Sequence, residues 1–141
     1  MIIQPLHLTK TVMIFGLIFL NLIAARSALS QTSPNDILVH YQAQAATPAD
    51  SIRGKVFFNT RHGNDWSCST CHGSPPTITG KHASTGKGIL PLAPAANDKS
   101  LTSLKKTEKW FRRNCRDVLS RECTAQEKTD VVSYLLTLKL N

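Results

Sequence analysis

Two thiols and an imidazole stand within five residues of one another at Cys68-Ser69-Thr70-Cys71-His72. A C-x-x-C-H run of this kind is the attachment signature of a c-type haem. The thiols add across two vinyl groups, and the histidine binds iron from one face. What such a centre does is decided by the ligand on the opposite face. Electron-transfer cytochromes commonly place a methionine thioether there. The sequence has only Met1 and Met13, and both fall in a stretch that reads as a leader, so a His/Met pair is excluded for the processed chain.

The other cysteines allow competing readings. Cys68, Cys71, Cys115 and Cys123 would supply a four-thiolate zinc site, but the spacing of the second pair suits a zinc knuckle badly. A thioredoxin-like redox pair lacks the strand–helix–strand surroundings it needs. In an oxidising compartment Cys115 and Cys123 read most naturally as a disulfide, and closing so short a loop contributes about 2.5 kcal/mol in the chain-entropy model. Two free buried thiols are the alternative.

Several residues compete for the second iron face. His40 sits beside Tyr41 in a helical stretch and reads as a surface or core-edge residue. His62 lies too close before the pentad to reach the far side easily. His82 lies in a long loop, and paired with His72 it would make a bis-histidine centre. Asn114 offers a different answer. It is four residues after Trp110 and shares its helix face, so Trp110 would pack on a macrocycle while Asn114 points at the metal. The bland alternative for this asparagine is a solvated or capping role.

The elements that must position these groups are helical. Residues 1–30 read as a secretory signal, with Lys10 in the basic region, an apolar run over 11–24 too short to span a bilayer comfortably, and cleavage before Gln31. An uncleaved anchor is the alternative, and Asn21 inside the run argues against it. Residues 31–141 are one domain's worth of chain. Ser33-Pro34, with Asp36 behind it, opens a helix carrying Ile37, Leu38, Tyr41 and Ala45. Thr47-Pro48 breaks it, and a second helix runs over 49–59 with Ile52, Val56, Phe57 and Phe58. Residues 73–97, holding Pro75, Pro76, Pro91 and Pro94, read as a long loop without strands, ordered by a cofactor. The carbonyl of Pro91 or of Pro94 is expected to fix the outer nitrogen of His72. A third helix spans 103–119. The last starts at Thr124 with Glu127 three residues on, a capping box, and carries Val131, Tyr134, Leu135 and Leu138 on one face.

Arg113-Asn114-Cys115, then Arg121-Glu122-Cys123-Thr124 and Glu127-Lys128, resemble the sphaeroides haem protein family, high-spin class I cytochromes c with an asparagine distal ligand. The loop Thr85-Gly86-Lys87-Gly88-Ile89-Leu90-Pro91-Leu92-Ala93-Pro94, the run Glu108-Lys109-Trp110 and the opening Ser33-Pro34 agree. The resemblance runs from about Ser33 to Leu136. It implies an all-α class I cytochrome c fold wrapped around one covalent haem c. Cys68 and Cys71 would attach the haem, and His72 would be the proximal ligand. Asn114 would be the distal ligand of the oxidised state, and Cys115 and Cys123 would form a disulfide. Gly54-Lys55-Val56-Phe57-Phe58 is similar to the class I glycine–aromatic helix, in which the glycine admits the last helix and its aromatic, here Tyr134.

An amide oxygen is a hard, neutral donor that suits Fe(III) and holds softer Fe(II) poorly. Reduction is therefore expected to free Asn114 and open the site to O2, NO or CO. The resemblance implies the same redox-gated behaviour, with reduction by a dihaem cytochrome c or a membrane cytochrome b. The leader points to the periplasm, and the protein is expected to be a monomer. Whether O2 or NO is also turned over stays open. A low-spin bis-histidine electron carrier is the competing function.

The net charge is +8, and Lys10 and Arg26 account for two of those charges, leaving +6 after processing. Lys105, Lys106, Lys109, Arg112, Arg113, Arg116 and Arg121 crowd the segment around Asn114. They read either as a docking patch for an acidic redox partner or as a solvated helix face with a propionate counter-ion. No aromatic interleaving points to nucleic acid.

Overall fold

All five helices among the described residues open on a side chain that takes up otherwise unpaired first-turn amides. The structure, a computed structural model, describes residues 32–63 and 65–140. The leader over 1–30 and its cleavage point lie outside those residues. Helix α1, Pro34–Gln42, starts at Ser33, whose hydroxyl accepts from the Asp36 amide at 3.2 Å while the Asp36 carboxylate accepts from the Ser33 amide at 2.8 Å. Helix α2, Ser51–Asn59, is capped by Asp50, which accepts from the amides of Ile52 and Arg53.

The short helix α3, Cys68–His72, is the C-x-x-C-H pentad itself. After it come two two-residue strands, β1 at Gly80–Lys81 and β2 at Gly88–Ile89, which pair antiparallel with Gly80 opposite Ile89 and Lys81 opposite Gly88. Helix α4, Leu104–Leu119, follows its Ser103 cap, and α5, Ala125–Thr137, follows the Thr124–Glu127 capping box. No helix among the described residues is long and apolar enough to cross a membrane.

Two expectations need correction. The first helix ends at Gln42, before Ala45. The 73–97 loop contains the hairpin just described, because the turn residues between Lys81 and Gly88 close on themselves: the Gly86 amide donates to His82 O at 2.9 Å and the His82 amide to Lys87 O at 2.8 Å. Strands of two residues carry no alternation for a sequence pattern to reveal.

The core gathers Ile37 and Tyr41 from α1, Phe58 from α2, Leu101 from the connection, and Val131, Val132, Tyr134 and Leu135 from α5. Each fully buried side chain of this size contributes roughly 1.5–3 kcal/mol by leaving water. Phe58 meets Tyr134 with ring centroids 5.7 Å apart, and Tyr41 meets Phe111 edge-on at 5.6 Å, tying α4 to α1. Burial, reinforced by the Glu108 carboxylate, pushes the Tyr41 phenol well above its usual pKa. Leu101 turns the chain into α4 with φ +56°, a left-handed conformation unusual for leucine. Its side chain is 8% exposed, so core burial opposes that strain.

Helices α2 and α5 cross at Gly54, as the glycine–aromatic pattern implies. A Cβ added there would lie 1.9 Å from the Asp130 carbonyl oxygen. Beside the crossing, the buried Asp130 carboxylate accepts from Arg53 Nε and Nη2, the Asp50 amide and Gln126 Nε2. A buried carboxylate needs such partners, because leaving it unpaired costs several kcal/mol. Gly54→Ala is expected to force the helices apart and destabilise the fold by about 2–3 kcal/mol in urea unfolding. Lys55→Ala, one residue along on the exposed side, should change stability by less than about 0.5 kcal/mol.

Glu127 makes the start of α5 pH-sensitive. Partial burial opposes its ionisation, but the Arg121 guanidinium and the Thr124 amide outweigh this and hold its pKa below the usual 4.5. Because the folded value is the lower one, the stabilisation is complete above the unfolded pKa and is lost as pH falls through the folded pKa. Glu127→Gln should therefore lower stability by on the order of 1 kcal/mol at neutral pH. The gap to wild type should narrow in melts recorded below the folded pKa.

Candidate functional site

The pentad adopts one helical turn because Ser67 caps it and Gly73 ends it. The Ser67 hydroxyl accepts from the Thr70 amide at 3.2 Å, and Thr70 Oγ1 accepts from the Ser67 amide at 3.0 Å. Gly73 takes φ +79°, and its amide donates to Ser69 O at 2.9 Å. In that turn Cys68 and Cys71, three residues apart, share a face. Both are free thiols and partly buried, and burial pushes the Cys68 thiol up to about 11. Gly80 lays the hairpin directly on the turn, since a Cβ on it would come 2.1 Å from Cys71 O and 2.9 Å from His72 Cα.

His72 is backed by Phe58, with ring centroids 6.3 Å apart. Burial lowers its pKa, favouring the neutral imidazole whose lone pair can bind a metal. Its Nδ1 is buried and has no hydrogen-bond partner. Pro91 O accepts instead from Asn97 Nδ2 at 2.9 Å, and Pro94 O from the Asn97 amide at 3.3 Å. The expected proline-carbonyl support for His72 is therefore not among the described hydrogen bonds. Each of those carbonyls accepts from Asn97 instead.

Across from α3, helix α4 brings the Asn114 amide to 3.4 Å from His72 Nε2. The atom nearest the imidazole in this pair is the amide nitrogen, Nδ2, and the two residues are 42 apart in sequence. Trp110, one turn earlier, is 52% exposed, with the Arg113 guanidinium 5.2 Å from its ring. The next residue after Asn114 is anchored, because Cys115 is bonded to Cys123, with Cα atoms 5.6 Å apart. Ser120, at φ +59°, makes the reversal that brings Cys123 back.

That disulfide removes two thiolates from any four-cysteine zinc site, and no cluster of three or more His, Cys, Asp or Glu suited to a metal occurs among the described residues. The other histidines are engaged elsewhere. His82 Nδ1 lies 3.2 Å from Ser84 Oγ and accepts from the Thr85 amide at 3.4 Å, inside the hairpin turn. His62 Nε2 is 2.9 Å from Phe57 O, and His40 Nε2 is 3.1 Å from Gln44 Nε2. Two thiols on one face of a turn, an imidazole that burial shifts toward its neutral form and a facing amide are a donor set that fits a covalently held haem. The roles of Ser67 and Gly80 escaped the sequence reading. A Ser-x-x-Thr spacing signals the cap, whereas nothing local signals that Gly80 touches the pentad.

A family model described as a domain of unknown function, DUF1924, matches residues 44–135. Cytochrome c-type protein SHP of Cereibacter sphaeroides is 40% identical over 123 residues, covering 84% of this chain and 95% of that protein. Cytochrome c'' of Methylophilus methylotrophus is 37% identical over 139 residues, covering 91% and 94%. Among solved structures, oxidised SHP, described as an oxygen-binding cytochrome c, matches with TM-score 0.70 and 41% identity, covering 77% of this chain and all of that one. A solution structure of cytochrome c'', described in terms of haem-ligand detachment, matches with TM-score 0.64 and 35% identity, covering 76% and 94%.

Removing the bridge with Cys115→Ser and Cys123→Ser together should cost roughly 2.5 kcal/mol of stability by loop-closure entropy. Chemical unfolding of the double variant against wild type checks this.

Proposed function

Because the chain belongs to the sphaeroides haem protein family of c-type cytochromes, we propose that it is an exported monohaem cytochrome c whose open site is gated by Asn114. The observation that carries this reading is the Asn114 amide facing His72 Nε2 at 3.4 Å. The cofactor is one haem c, which supplies a one-electron iron couple and, when ferrous, an affinity for O2, NO and CO. Cys68 and Cys71 hold it through thioether bonds. His72, shifted toward the neutral imidazole by burial and backed by Phe58, would hold the iron in both oxidation states. Trp110 offers its ring to the macrocycle on the Asn114 side.

Asn114 would supply an amide oxygen to ferric iron and, as a hard neutral donor, would hold ferrous iron weakly. Movement of its side chain away from the site would leave an N–H able to donate to a diatomic ligand. Helix α4 confines that movement, since the disulfide fixes Cys115 and the Tyr41–Phe111 contact fixes the preceding turn. The relatives described as oxygen-binding and as detaching a haem ligand support this chemistry. Electrons come from a dihaem cytochrome c or a membrane cytochrome b, and the protein works as a monomer in the periplasm after loss of residues 1–30. The bis-histidine alternative is weakened by the engagement of His82 in its own turn.

Optical spectra of the purified protein, ferric and dithionite-reduced, with and without CO, test the proposal. A high-spin ferrous form that shifts on adding CO is expected. Asn114→Ala should keep the covalent haem but alter the ferric spectrum. A low-spin ferrous spectrum indifferent to CO, or a ferric spectrum unchanged by Asn114→Ala, would remove Asn114 as the gate.

A further inference from the structure

Helix α4 carries more positive charge on its outer face than the fold makes use of. Lys105, Lys106, Lys109, Arg112 and Arg113 are all exposed. Arg116 and Arg121 are occupied by Glu122 and Glu127. Lys105, Lys106 and Arg112, by contrast, pair with no carboxylate among the described residues. The helix has two acidic residues, Glu108 and Asp117, and Lys128 holds Glu108 at 3.0 Å. The placement also runs against helix electrostatics. Lys105 and Lys106 lie in the first turn, where the dipole and unpaired amides disfavour cations, whereas α1 and α5 put Asp36 and Glu127 there. Helix stability gives no reason for these lysines.

The same helix carries Asn114 to its place beside His72. Resting on the haem reading above, we propose that the outer face of α4, built from Lys105, Lys106, Lys109 and Arg112, is the docking site for an acidic electron-donor protein. A donor seated there lies over the helix that gates the site. One electron passes from its redox centre to the ferric iron, with no bond made or broken between the proteins. Opposite charge steers such an encounter and makes it salt-dependent. An anionic membrane fits less well. A helix lying on lipid inserts an apolar face, but the apolar side of α4 is turned inward, with Cys115 at 5% and Val118 at 6% exposure.

The test uses the haem-loaded protein and plant-type ferredoxin, a small acidic one-electron donor, as probe. The variant is Lys105→Glu/Lys106→Glu/Lys109→Glu. The control is Lys55→Glu/Lys99→Glu/Lys139→Glu, which makes the same change in net charge on exposed residues outside α4. Two readouts are taken across ionic strength: the affinity of the oxidised proteins for each other by titration calorimetry, and the rate of haem reduction by reduced ferredoxin. Reduction by neutral lumiflavin reports access to the haem without charge steering.

Wild type should bind ferredoxin more weakly as salt rises. The α4 variant should lose about tenfold or more in affinity and rate at low salt, while the control loses much less and lumiflavin rates stay equal. Equal losses in both variants, or no loss in either, would overturn the docking site. So would charge-dependent binding of wild type to phosphatidylglycerol vesicles without any effect of the α4 variant on ferredoxin. If the α4 variant folds poorly, Lys105→Gln/Lys106→Gln carries the same comparison. Failure of the Asn114 gate is separately visible, as a ferrous wild-type spectrum indifferent to CO, and leaves the ferredoxin comparison readable.

Discussion

Gly54 lets the backbones of α2 and α5 meet where any side chain would strike the Asp130 carbonyl, and the haem site is built outward from that contact. The crossing fixes the end of α2, so Phe58 is pinned between Tyr134 on one side and His72 on the other. The imidazole thus inherits its position from a helix crossing rather than from its own five-residue helix, which is too short to be stable alone. Arg53 and the buried Asp130 fasten the same crossing electrostatically. A glycine for closeness and an ion pair for registry act together there.

The opposite side of the site has a different construction. Asn114 is carried by a helix whose outer face is strongly basic and whose inner face rests on Tyr41 through Phe111. Its C-terminal end is tied by the Cys115–Cys123 bridge, and the following turn by the Arg121–Glu127 pair. Anchored neighbours on both sides hold the Asn114 amide in place beside His72. The pentad side is held by caps and close backbone contacts, at Ser67, Gly73 and Gly80. The pentad and the Asn114 amide are thereby carried by separately anchored elements.

The unpaired cations on α4 run against the local preference of a helix start. Lysines in a first turn weaken a helix slightly, and natural sequences depart from such local rules mainly at sites that do something. The cost is small because Ser103 still caps the helix and its buried face still packs.

Much of this was legible in the residues themselves. The C-x-x-C-H spacing, the Ser33-Pro34 and Thr124–Glu127 caps, and the absence of methionine beyond Met13 are local facts. They pointed to the attachment chemistry and two helix starts, and they leave no methionine ligand beyond Met13. The glycine–aromatic spacing pointed to the crossing because a short-range pattern there encodes a close approach. Other features were silent: the two-residue strands, Gly80 against Cys71, Asp130 as a buried carboxylate, and Asn97 occupying the Pro91 carbonyl. Periodicity reports only which face of an element is apolar. It does not report which distant backbone that face will meet. The sequence by itself therefore determined the chemistry of the donors Cys68, Cys71, His72 and Asn114. Only the tertiary structure decided that His72 and Asn114 face each other, because that depends on how α3 and α4 are carried by a core assembled from α1, α2 and α5.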